Sequence, residues 1–192
     1  STAMVNDGQG TYSGTIPGSS VTQSGLLYYV MSQDVLGFSS SSDTLGAAVN
    51  FASGTLTTNS ASGSAYPTGL PIDAWRLIST PSVLNETGLT QVFDELGTQD
   101  NTVWRVFRYD NVSNTYKDNP VDLNSTESYW IYQKTEDNLT MDTPAGKTGD
   151  MSGTEITLKT GWNFIGSPYP FQVPLQLDQV QFYGPLTYGI SG

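Results

Sequence analysis

The sequence predicts an all-β fold: antiparallel and sandwich-like, with an internal pseudo-repeat and little helix. Three observations carry this. An eight-residue segment occurs twice, as Ala74-Trp75-Arg76-Leu77-Ile78-Ser79-Thr80-Pro81 and as Gly161-Trp162-Asn163-Phe164-Ile165-Gly166-Ser167-Pro168, at a constant offset of 87 (162 − 75). Trp, Ile and Pro stay in register, which marks one structural unit used twice. The composition agrees, because 11 Tyr and 4 Trp suit pleated surfaces while 20 Gly and 10 Pro suit short strands joined by turns. Finally, no window reaches the roughly 10–15 residues of i, i+3, i+4 spacing that a helix needs. The best short candidate is Thr90 to Leu96, about two turns ending at Gly97.

The elements follow in order. Within residues 1–52, strands are predicted over 11–16, stopped by Pro17-Gly18, over 25–32, stopped by Asp34 and Gly37, and over 47–52. Three strands fall short of the ~7 of a sandwich. They are therefore expected to complete a sheet with the rest of the chain, with Leu26, Tyr28 and Val30 buried, or to be the remainder of a larger unit. Residues 53–72 have the Ser/Thr/Gly/Pro composition of a linker, which Leu56, Tyr66 and Leu70 could pin. Residues 73–192 hold the repeat module, with strands over 74–79, 103–109, 128–133, 155–159 and 161–166. Trp75 and Trp162 are predicted to be buried on equivalent strands, sharing a face with Leu77 and Phe164 by the period-2 rule. The second repeat is incomplete: the counterpart of 103–109 would run past Gly192.

Length allows one domain or two small ones. Charged residues make up 13%, about half the ~25% of an average domain. The net charge of −11 leaves seven scattered Lys and Arg, which argues against nucleic acid and anionic membranes as partners. The longest apolar run, Leu26 to Met31, is far below the ~20 residues of a membrane span. Ser1 to Met4 reads as a tag remnant ahead of a segment that starts mid-protein. Cysteine and histidine are both absent. Thiolate sites, the commonest general base and the commonest transition-metal ligand are therefore missing together.

Acid–base catalysis without histidine needs a carboxylate pair. Asp94/Glu95 and Glu136/Asp137 are adjacent, but they fall in turns and a helix end, where solvated carboxylates are common. Neither a nucleophile elbow nor a phosphate-binding glycine pattern occurs. Calcium is the one metal the composition permits. The turn from Asp110 to Asn114, with Asp118 and Asn119, offers oxygens but lacks the full EF-hand pattern. No catalytic, metal or cofactor residue is assigned. Carbohydrate binding needs aromatic rings that stack on sugar faces, and the candidates are Trp104, Tyr109, Tyr116, Trp130, Tyr132, Tyr169, Tyr183 and Tyr188.

The motifs around Trp75, Trp104-Arg105-Val106-Phe107-Arg108-Tyr109-Asp110, Tyr129-Trp130-Ile131 and Gly161 to Pro168 resemble a module of large secreted proteins of Bacteroidota and related phyla. Such proteins are often exported by the type IX route. Tyr12 to Pro17, Gly25 to Val30 and Asp34 to Gly37 resemble the last strands of an immunoglobulin- or fibronectin III-like domain preceding that module. The resemblance implies a secreted, non-catalytic accessory module, extracellular or at the cell surface. Its expected partners are a polysaccharide or cell-surface glycan and neighbouring domains of the same polypeptide. A ligand-free spacer or adhesin segment is the alternative, and a glycoside hydrolase the third.

Overall fold

Strict alternation along 104–110 and 129–133 sends every second side chain to the same face, and this builds the central sheet. The computed structural model describes residues 2–22, 25–57, 69–149 and 154–169. In chain order its strands are β1 (Val5–Asn6), β2 (Tyr12–Ser13), β3 (Leu26–Tyr28), β4 (Met31–Gln33), β5 (Ser39–Ser41), β6 (Leu45–Ala47) and β7 (Asn50–Phe51). Then come β8 (Arg76–Ile78), β9 (Val83–Leu84), β10 (Trp104–Asp110), β11 (Thr115–Asp118), β12 (Tyr129–Gln133) and β13 (Gly146–Lys147). One short helix, α1 (Leu89–Val92), lies between β9 and β10. The fold is all-β, made of several antiparallel sheets.

The central sheet runs β11-β10-β12-β8. Its register pairs Trp104 with Gln133, Val106 with Ile131, and Ile131 with Arg76. Trp104, Val106, Tyr129 and Ile131 thus share the inner face, each at most 1% exposed. Leu89 and Val92 of α1, with Phe93 and Leu96 just after it, join the same core. Gln133 is also fully buried and spends its whole amide locally. Its Nε2 donates to the Leu70 and Glu136 carbonyls, and its Oε1 accepts from the Thr135 and Glu136 amides. A buried polar group supplied with partners on all sides fixes the loops that supply them.

A second sheet, β7-β13-β9, crosses the sequence. A Cβ on Gly146 would lie 2.6 Å from the Val83 carbonyl and 2.9 Å from the Phe51 ring. Only glycine lets β7 and β9 close on β13 from both sides.

Several expectations need correction, though not the pinning of the 53–72 stretch at its described ends: Leu56 and Leu70 are buried, Thr57 bridges Asp142 and Leu70 bridges Leu139. Tyr66 lies outside the described residues. In the N-terminal part, hairpins β1–β2, β3–β6 and β4–β5 leave Val30 exposed and Leu26 and Tyr28 only half-buried. The predicted packing on the later sheets holds at β7, and at Val49, whose amide donates to Thr148 Oγ1.

The two Trp motifs do not form equivalent strands. The first gives β8, while 161–168 carries a single bridge, Ile165 to Glu127, and 155–159 forms no strand. Neither indole is in the core, since Trp75 is 44% and Trp162 74% exposed. Ile78 is the β8 side chain packed against the core, so by alternation Leu77 and Trp75 fall on the opposite face. Trp162 sits on a loop.

Candidate aromatic binding face

The outer face of the central sheet carries the rings. Opposite Trp104 and Val106, β10 presents Arg105, Phe107 and Tyr109, and β12 presents Trp130 and Tyr132. Pairing sets Phe107 beside Trp130, Trp130 beside Leu77, and Tyr109 beside Tyr116. Trp75 lies 5.5 Å from Phe107 and 5.1 Å from Tyr132, ring centre to ring centre. Tyr109 contacts Tyr116 at 5.4 Å and Phe164 at 5.3 Å. These are the tilted and edge-on spacings that aromatic quadrupoles favour. Half of Tyr116 and nearly half of Leu77 remain open to solvent. Trp75, Phe107, Tyr116 and Trp130 wall a shallow depression of 340 Å³.

Polar groups ring this surface. Arg105 pairs with Asp118 while its guanidinium lies 4.8 Å from the centre of the Phe107 ring. The Tyr132 hydroxyl donates to Asp73 at 2.7 Å, and that bond to a carboxylate raises the phenol above its ordinary pKa. The Tyr109 hydroxyl donates to Asn114. The face can therefore stack on flat apolar surfaces and exchange hydrogen bonds at its border.

Compared with known proteins, the chain matches no family model, no curated protein and no solved structure. What the face can do rests on its own geometry.

Of the sequence-predicted contacts, Tyr109, Tyr116, Trp130 and Tyr132 come together on this face. Trp104 does not: it is fully buried, edge-on to Phe93 at 6.3 Å, so no surface ligand reaches it. Tyr169 is half-buried beside Gly149, with its hydroxyl 3.1 Å from Thr154 Oγ1. Tyr183 and Tyr188 lie outside the described residues. Sequence reasoning missed Trp75, Phe107, Leu77 and Phe164. Alternation gave no signal for them: two positions from Phe107 lie Arg105 and Tyr109, while Arg108 and Asp110 share the side of Trp104 and Val106, so charge falls on both sides of β10.

In the turn that could offer oxygens to calcium, several of those oxygens take part in hydrogen bonds within the protein. Asp110 accepts from the Val112 amide and from Ser113, whose hydroxyl is the main reason the Asp110 carboxyl lies below its ordinary pKa. Asn119 Nδ2 donates to Asn101, and Asn119 Oδ1 accepts from the Val106 amide. Among the described residues one carboxylate trio converges, Asp94, Glu95 and Asp142. Glu95 Oε1 there accepts the Asp142 amide, and burial pushes the Glu95 carboxyl above its ordinary range. Of the other adjacent carboxylate pair, Asp137 accepts the Ile72 and Asn138 amides.

Proposed function

We propose that this chain is a non-catalytic, extracellular accessory module that binds carbohydrate through the outer face of its central sheet. One observation carries the reading: six aromatic side chains from four adjacent strand segments form a contiguous surface open to solvent. Contiguous exposed apolar surface of this kind marks interaction sites rather than ordinary protein exterior. Carbohydrate suits it because sugar rings offer flat C–H faces for stacking and hydroxyls for rim groups such as Arg105, Asp118 and Asp73. The net charge of −11 favours a neutral polymer over an anionic one.

The test is retention on microcrystalline cellulose, chitin and insoluble xylan, comparing the wild type with Trp75→Ala/Trp130→Ala. Removing two stacking rings is expected to weaken retention about tenfold or more. A wild type retained by none of these polymers removes the carbohydrate reading. The wholly aromatic wall of the 340 Å³ depression favours a second reading, in which the same face packs on a neighbouring domain as part of a spacer or adhesin. Such a face would bind no polymer.

A further inference from the structure

Beside the aromatic face lies a cleft of 420 Å³, lined by the end of β10, by residues 124–128 and by 155–165. Its volume falls in the ~300–1,000 Å³ range of small-molecule sites. Trp162 belongs to this lining and is 74% exposed. Its loop is firmly built all the same. Asn163 Oδ1 accepts the Lys159 amide at 3.0 Å, and its Nδ2 donates to the Lys159 and Gly161 carbonyls at 2.8 and 2.9 Å. Asn111 Nδ2 donates to the same Asn163 Oδ1 at 3.2 Å, tying the loop to the turn after β10. Phe164, two residues on, packs on Tyr109. The chain therefore holds an indole in solvent on a fixed support, where a ligand contact costs little additional ordering.

We propose that this cleft is a carbohydrate subsite separate from the outer face, taking the end or a branch of a neutral glycan with one sugar ring stacked on Trp162. The ligand class rests on the reading above; the site does not. Three features select that class. Two cations, Arg108 and Lys159, meet three carboxylates, Asp110, Glu127 and Glu155, and Arg108 lies 3.8 Å from Glu127. With negative charge in excess, the lining repels phosphate, sulfate and uronate groups. The amides of Asn111 and Asn124 and the hydroxyls of Thr126 and Ser128 match a hydroxyl-rich guest, and the indole supplies the apolar face. Tyr109 and Phe164 line this cleft and also touch Tyr116, so a chain lying on the outer face can continue into it.

Calorimetry with cellohexaose, xylohexaose, mannohexaose and chitohexaose tests this on the full chain, with hexagalacturonate as the acidic comparison. Trp162→Ala is expected to weaken at least one neutral oligosaccharide tenfold or more while lowering the unfolding midpoint by about 4 °C or less, and Trp162→Phe to recover part of the loss. Equal binding by wild type and Trp162→Ala overturns the proposal, as does the absence of heat from every neutral oligosaccharide or tightest binding of hexagalacturonate. The two sites fail separately. If Trp75→Ala/Trp130→Ala loses polymer retention while Trp162→Ala keeps oligosaccharide affinity, the cleft is wrong and the face stands. The reverse pattern removes the face and leaves the cleft.

Discussion

Replacing each of three tryptophans by alanine separates the core from the presented surface, because the rings differ so sharply in cover. Trp104 is fully buried, Trp75 is 44% exposed and Trp162 74% exposed. A buried Trp removes about 150–250 Å² from water, which at about 25 cal/mol/Å² gives roughly 4–6 kcal/mol. Measured Trp→Ala costs in cores run about 3–5 kcal/mol, so that range is expected for Trp104→Ala. Scaling by covered area leaves about 2–3 kcal/mol for Trp75→Ala and about 1 kcal/mol for Trp162→Ala, both upper figures because the unfolded chain also buries surface. Urea unfolding followed by circular dichroism measures all three. In a chain this long each kcal/mol moves the melting temperature by roughly 2–4 °C, so Trp104→Ala is expected to fall by about 6–20 °C and Trp162→Ala by about 4 °C or less. If Trp162→Ala destabilised as much as Trp104→Ala, the second Trp motif would be core after all. Both the outward presentation of Trp162 and the cleft beside it would then be wrong.

Two further outcomes follow from local geometry. Burial raises the Glu95 carboxyl above its ordinary 4.5, so the folded state holds that proton more tightly than the unfolded chain does. The resulting stabilisation is complete below pH 4.5 and fades as pH rises through the higher folded-state value. Glu95→Gln, which keeps an oxygen for the Asp142 amide, should flatten this part of the stability–pH curve measured by urea titration, and an unchanged curve would contradict it. Gly146→Ala should cost about 1–3 kcal/mol and loosen β7, seen as faster amide exchange at Phe51, because the methyl meets the Val83 carbonyl and the Phe51 ring.

The all-β class was legible in composition, and the strands at 76–78, 104–110 and 129–133 in their alternation. These segments are long or aromatic enough for local pattern to match their final environment. Four of the eight candidate rings also meet on one face, but alternation alone does not say which side of a strand faces water. That choice comes from partners such as Phe93, which covers Trp104 from elsewhere in the chain. The repeat misled for the same reason. Eight similar residues adopt a strand only where a neighbour offers its edge, and β12 offers one to Ile78, while Ile165 finds a single bridge at Glu127. Two-residue strands such as β13 carry too little pattern to be read at all.

The pairing of Val49 with Thr148 has a consequence for synthesis. The two residues are 99 positions apart. At ribosomal rates of about 5–20 residues per second, Val49 emerges roughly 5–20 s before its partner. Through that interval Phe51 and the ends around Leu56 lack the β13 region that will cover them, while Trp104 and Val106 join the growing chain. The strands β7 and β9 thus wait for β13 until after β10 and β12 have been made. Folding yield should consequently respond to anything that shelters the nascent aromatic strands during that wait, and a slowed ribosome should lengthen the exposure rather than relieve it.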